Sequence, residues 1–262
     1  MYYVKASSLH SIGLVSLPFL HASAPQLLIF RKRTSPPALL LDTSPVVTSL
    51  GKLRPVTIVR VMRTPSAHLY KSLVHQYHYL GYTTPAGEHL KYVAFSAGRP
   101  VACIGWMSAP PHISARDSYL GWTRKERIAN LHKIVINTRF LIVPWVHVPH
   151  LASHLLGLMA RRIASDWNTV YCHPMVWLET FVDPVRGFTG TCYKAANRVY
   201  PGLNREAGLS ACGHAQAGVR TTIRENCNRS LKYVFGYPLV KDYRKALLWR
   251  TVRDASKEAP YR

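Results

Sequence analysis

Apolar and polar positions alternate with a period of two from Pro55 to Met62, where Val56, Ile58 and Val61 share the pattern of a strand. The spacing then lengthens: Ala67–Tyr79 repeats apolar residues at helical intervals, which sets Leu69, Leu73 and Val74 on an inner face and makes Gly81 the expected C-terminal cap. Tyr92–Ser96 and Val101–Met107 read as two strands joined across A-G-R-P, a composition suited to a hairpin turn. The T-x-x-E spacing of Thr123 and Glu126 is that of a capping box, so a helix is expected over Arg124–His132. A β-branched run, Lys133–Val143, follows with Asn137, Thr138 and Arg139 in its middle. Next comes an amphipathic helix, Leu151–Trp167, whose inner stripe is Leu151, Leu155, Met159 and Ile163. Met175–Val182 is the next strand, Thr191–Tyr200 the next helix and Lys232–Tyr237 the last strand. This order predicts an α/β fold, a mixed, mostly antiparallel sheet with flanking helices, and shows no internal repeat.

Composition fits one substantial core: 262 residues, 48% of them apolar. Residues 1–50 carry R-K-R-T-S-P-P at Arg31–Pro37 and little periodicity, and are read as an irregular basic arm. Residues 51–262 are the domain, with an atypical insert at 203–226 expected to be disordered. The start of the chain mimics a secretory signal, with Lys5, an apolar stretch from Ile12 to Leu20 and A-S-A near Ala22, but Pro18 interrupts it. Five cysteines form no C-x-x-C pair, which suggests neither a disulfide framework nor a zinc ribbon, and a cytoplasmic location is expected with no membrane contact.

Charge changes the picture more. The chain holds 34 Lys+Arg against 12 Asp+Glu, a net +22, and residues 1–87 contain a single acid, Asp42. Such an excess points to a polyanionic partner, with nucleic acid, DNA first, as the leading one. Basic residues interleave with aromatics from Arg116 to Arg139, and the residues expected to bind nucleic acid are Arg116, Trp122, Arg124, Lys125, Arg127, Lys133, Arg139, Arg161, Arg162, Lys194 and Arg198.

The densest candidate chemistry lies in L-E-T-F-V-D-P followed by G-T-C-Y-K-A-A-N. Glu179 sits inside an apolar run, where an acid needs a partner, and a salt bridge to an arginine is one answer and a general base the other. Asp183, four residues on, would lie ~13 Å away on an extended strand at ~3.3 Å per residue, so the two cannot share a metal ion directly; Asp183 also reads as a cap of the next turn. Thr191, Tyr193 and Asn197 fall on the following helix, the last two at i, i+4, and Asp117 completes the catalytic candidates. His147, His150 and His154 have part of a metal-ligand spacing, and Cys212, His214 and Cys227 less of one; neither set supplies enough ligands, so no metal site is assigned and the cofactor stays unknown.

With those residues named, the chain resembles the family of the Druantia anti-phage protein DruA, whose members also occur near transposases. The matching pieces are Y-H-Y-L-G-Y at Tyr77, G-E-H-L-K-Y at Gly87, G-R-P-V-A-C-I-G-W at Gly98, R-D-S-Y-L-G-W at Arg116, N-T-R-F-L-I-V-P-W at Asn137, H-L-A-S-H at His150, E-T-F-V-D-P at Glu179, G-T-C-Y-K-A-A-N at Gly190 and Y-P-L-V-K-D-Y-R at Tyr237. The first 41 residues and Leu203–Asn226 depart from the family pattern, the latter resembling a shifted reading frame between matching flanks. The order of elements from Asn137 to Tyr200 is similar to the second half of a GNAT-type acyltransferase, so a GNAT-like core is expected. The loop where that fold rests acyl-CoA, however, reads W-V-H-V-P-H-L-A-S and lacks glycine.

Three functions follow as expectations: a nucleic-acid-interacting component of a mobile element or anti-phage defence system; an enzyme modifying or processing nucleic acid by acyl transfer or metal-dependent hydrolysis; and a structural partner of a helicase or transposase.

Overall fold

The computed structural model describes residues 39–205 and 231–248. Along the chain run β1 (Val46–Val47), α1 (Leu50–Leu53), β2 (Thr57–Arg60), α2 (Ala67–Tyr77), β3 (His89–Ser96), β4 (Arg99–Ser108), α3 (Ser114–Leu120), α4 (Arg124–Asn130), β5 (Ile134–Ile142), β6 (Val146–His147), α5 (Leu151–Tyr171), β7 (Trp177–Val182), α6 (Thr191–Ala195), β8 (Val199–Arg205), β9 (Leu231–Pro238) and α7 (Tyr243–Leu248). Seven strands form one sheet in the order β2-β3-β4-β5-β7-β9-β8, antiparallel except for β5 beside β7. The mixed, mostly antiparallel sheet with flanking helices expected from the sequence is therefore the fold found.

Cross-strand pairing decides which helix covers which face. Tyr92 and its partner Ile104 face α5, where the Tyr92 hydroxyl donates to Asp166 Oδ2 at 2.9 Å. Lys91, Cys103 and Gly105 face the other way, and Gly105 lies against the hydroxyl of Tyr70 from α2 with no room for a Cβ. The expected stripe of α5, Leu151, Leu155, Met159 and Ile163, is wholly buried in the main core together with Trp167, Leu73 and Val74. A second core of Leu120, Trp122, Ile134, Trp177 and Leu247 lies under α3 and α7, each such side chain worth about 1.5–3 kcal/mol on burial. Among the described residues no helix is long and apolar enough to cross a membrane.

Local chemistry sets the element ends. The β3–β4 hairpin turns on Ala97 and Gly98, both at positive φ (47° and 76°), the twist that matches paired strands. Thr123 and Glu126 form the expected reciprocal cap of α4. Helix α2 stops at Tyr77, capped by His78 in extended conformation, and Gly81 closes the next turn rather than the helix. The helix expected over Thr191–Tyr200 ends at Ala195. Asn197 takes the left-handed conformation (φ 55°), its N–H bonds Lys194 O and the Arg198 N–H bonds Tyr193 O, a closure that reverses the chain into β8. Strand β8 thereby claims Leu203–Arg205 from the expected insert. The rest of that insert, with Cys212 and His214, lies outside the described residues, as do Cys227 and the first 38 residues of the expected arm. On the arm side of residue 50, β1 pairs in parallel with β6.

Candidate functional site

Strands β5 and β7 are paired from Ile134↔Trp177 to Asn137↔Thr180; beyond that they part, β5 staying with β4 and β7 with β9. The divergence has a local cause: β5 carries an extra residue, Thr138, between the partners of Gly105 and Trp106, and such a bulge bends the strand. The gap opens a cavity of about 290 Å³, lined from β5 by Asn137, Thr138 and Phe140, from β7 by Thr180–Val182, from the turn after it by Asp183, from α6 by Thr191–Tyr193, and by His78, Tyr79 and Phe188. Openings at the carboxyl ends of parallel strands are where open α/β sheets take ligands.

The floor of the cavity is a closed polar relay. Asn137 Nδ2 donates to Gly105 O (2.9 Å) and Arg139 O (3.1 Å), its Oδ1 accepts from the Tyr193 hydroxyl (3.3 Å), and Thr180 Oγ1 lies 3.4 Å from the same hydroxyl. Burial pushes the Tyr193 phenol up to about 12, so it stays protonated. His78 accepts from the Leu80 N–H at Nδ1 (3.2 Å), and burial, with Arg139 nearby, pulls it down to about 4; it is a neutral ring. Asp183 does not extend the strand: its Oδ1 caps the turn at Val185 N (3.1 Å) and its Oδ2 meets Arg186 at 3.6 Å. Behind Tyr193, the guanidinium of Arg198 is buried among Trp106, Tyr193 and Tyr237 at 5.9, 5.8 and 5.4 Å, and its Nε and Nη1 have no hydrogen-bond partner among the described residues.

Glu179 points to the opposite face of β7. It is fully buried, its Oε2 meets Arg116 Nη1 at 3.4 Å, and its Oε1 has no hydrogen-bond partner among the described residues. Arg116 is itself fully buried and is shared with Asp117 (2.9 Å) and with the carbonyls of Pro110 and Pro111, while Asp117 also holds Arg127 at 3.0 Å. Burial outweighs the attraction of Arg116 and pushes Glu179 up to about 7. Neither Glu179 nor Asp117 lines the cavity, and Asn197 has turned out of the helix, so the structure gathers Thr191, Tyr193 and Asp183 from the catalytic candidates and leaves the other three apart.

The basic candidates divide likewise. Arg124, Lys125, Arg161 and Lys194 are exposed. Arg127 is committed to Asp117, Lys133 to Asn130 Oδ1 and Ala246 O, Arg139 to Gly81 O and Thr83 Oγ1, and Arg162 to Asp166 and Ile58 O. Arg116, Trp122 and Arg198 lie in the interior, where no phosphate or base reaches them, which corrects their assignment as contact residues. Among the described residues no cluster of three or more His, Cys, Asp or Glu has a metal-holding arrangement, and His154 Nδ1 instead meets Arg54 Nη2 at 3.4 Å.

The family model described as Druantia protein DruA matches residues 31–217. The chain belongs to the DruA family. Membership implies a component of anti-phage defence. No curated protein matches the chain. Among solved structures it is similar to a GNAT-family acetyltransferase from Streptococcus pneumoniae (12% identity, 70% of this chain and 99% of that one, TM-score 0.40). It is also similar to the ribosomal-protein-S18-alanine N-acetyltransferase from Escherichia coli (9% identity, 70% and 94%, TM-score 0.39). At these scores the likeness carries no chemistry to this chain.

The motifs that carry the DruA resemblance converge in space. Y-H-Y-L-G-Y supplies His78 and Tyr79, N-T-R-F supplies Asn137 and Phe140, E-T-F-V-D-P supplies Thr180 and Asp183, and G-T-C-Y supplies Gly190–Tyr193, all to the one cavity. R-D-S-Y-L-G-W supplies Arg116 and Asp117 to the buried network behind it. An acyl-CoA cradle does not fit the loop before α5: it has no glycine, Val146–His147 are paired with β1, and the Leu151 N–H is taken by Val148 O. Sequence reasoning missed Asn137, Thr180, His78 and Tyr79 as lining residues. A signal existed for the first two, since Asn137 and Thr180 are polar residues inside apolar β-branched runs.

Proposed function

We propose that this DruA-family chain is a nucleic-acid-interacting component of anti-phage defence. The supporting observation is that its positive charge is not neutralised within the fold. Asp42, Asp117, Asp166, Glu179 and Asp183 are each already held by an arginine. Meanwhile Lys52, Arg54, Arg124, Lys125, Arg161 and Lys194 stand exposed in a chain of net +22. Cations displayed in this way release condensed counterions when they meet phosphates, a gain that shrinks as salt rises. Use of Glu179 as a general base loses support, because a catalytic base must come within hydrogen-bond reach of the substrate and Glu179 lines no described cavity. The test is a mobility-shift titration of the full chain on DNA and RNA at rising salt. Retardation that disappears steeply with salt is expected; faint retardation indifferent to salt overturns the proposal.

A further inference from the structure

Exposed large apolar side chains occur in several places among the described residues, and one group of them lies beside the cavity. Tyr79 (43% exposed), Val185 (77%), Phe188 (46%), Tyr200 (47%) and Leu203 (49%) all belong to β8, to the turn after β7 or to the segment after α2 that borders the cavity. Exposed rings beside an opening are candidates for contact with a ligand. Two openings share the Gly187–Thr189 loop of this region: the cavity between β5 and β7, and beyond the loop a cleft of about 560 Å³. The cleft is walled by Phe188 and Tyr200, with Tyr233, Phe235 and Lys194 also lining it. Phe235 is buried beneath it, and Tyr200 packs on Tyr233 and Phe235 at centroid distances of 5.8 and 5.5 Å, so the rings are braced from below.

Two cations border these rings. Arg186 is half-exposed and lies over the Tyr79 ring at 4.8 Å, Lys194 is exposed on α6, and the nearby acid, Asp183, is already held by Arg186. The half-exposed rings of Phe188 and Tyr200, bordered by a cation, match a ligand that alternates flat aromatic groups with negative charge. A duplex hides its base faces in the stack and offers only edges and backbone, whereas a single strand can lay an unpaired base into a concave aromatic cleft.

We propose that the Phe188–Tyr200 cleft is a stacking site for an unpaired base of a single-stranded nucleic acid, with Lys194 at its edge for a flanking phosphate. This rests on the nucleic-acid reading above and names the form of nucleic acid that the chain takes.

The experiment uses the full chain and three fluorescent probes of one sequence: single-stranded DNA, single-stranded RNA and the DNA duplex. Anisotropy titrations compare wild type with Phe188→Ala, Tyr200→Ala and Tyr200→Trp, each checked for an unchanged melting curve, which the exposure of both side chains favours. Each alanine variant is expected to weaken single-strand binding by about 5- to 100-fold while duplex binding holds, and Tyr200→Trp is expected to retain affinity. The DNA and RNA arms tell which strand is taken. Wild-type binding that neither alanine variant alters overturns the cleft assignment and leaves the nucleic-acid reading standing. Equal losses on strand and duplex overturn the single-strand preference. Failure of wild type to bind any probe overturns both.

Discussion

Substituting Glu179 by glutamine separates two forces that act on one buried carboxyl. Arg116 at 3.4 Å favours the charged form, and complete burial disfavours it; burial is the larger and lifts the group from its ordinary 4.5 to about 7. Below the unfolded-state value both folded and unfolded chains hold the proton, and the full stability is present. As pH rises from 4.5 towards 7 the unfolded chain ionises first, so the folded state loses ground until its own carboxyl ionises. At about 1.4 kcal/mol for each tenfold change in proton affinity, the total loss is roughly 3 kcal/mol. Glutamine matches the protonated acid in shape and has no proton to lose, so this dependence vanishes in the variant. Urea denaturation of wild type and Glu179→Gln at pH 4.5 and pH 8 reads the difference directly, and other titrating groups cancel between the two proteins. The variant is expected to gain about 3 kcal/mol relative to wild type across that interval. A gap that stays constant would mean that Arg116 balances burial, and one that moves in favour of wild type as pH rises that Arg116 wins over it; either would refute the reasoning.

Three further outcomes follow from the same packing. Arg116→Met strands the carboxylate of Glu179 in the interior and removes a partner from Asp117, so denaturant melts should show a loss of about 3–5 kcal/mol, reduced when Glu179→Gln is combined with it. Gly236→Ala drives a methyl into the buried indole of Trp177, and a loss of about 1–3 kcal/mol or more is expected by the same measurement; wild-type stability would show that the sheet can yield there. Tyr193→Phe leaves Asn137 Oδ1 without its donor beside the cavity and should cost about 1–3 kcal/mol in thermal or urea unfolding.

Elements governed by local period or by a short motif were legible in the sequence. The α5 stripe repeats every three or four residues and the α4 cap is a four-residue pattern, and both occur in the structure as read. The site was legible only in outline. The turn after Val182 and the polar start of α6 do converge, but the cavity exists because a bulge at Thr138 parts β5 from β7, and a bulge is a property of two paired strands rather than of one. Arg116 looked like a surface cation because its neighbours are polar. Its true signal was the i, i+4 spacing to Leu120, which puts both on the buried face of α3, a helix too short to declare itself by periodicity. The A-A-N run could equally continue a helix or end one, and the left-handed Asn197 ended it, releasing β8 to carry Tyr200 to the surface.

The central claim, that the unneutralised cations of this fold engage nucleic acid, is tested most directly by the salt dependence of binding to a single-stranded oligonucleotide by the full chain and by Lys194→Gln. A straight line of log Kd against log salt is expected, with about 0.7 added to the slope for each phosphate contacted, and the Lys194 variant should be shallower by roughly one contact. A wild-type slope indistinguishable from zero would contradict the account.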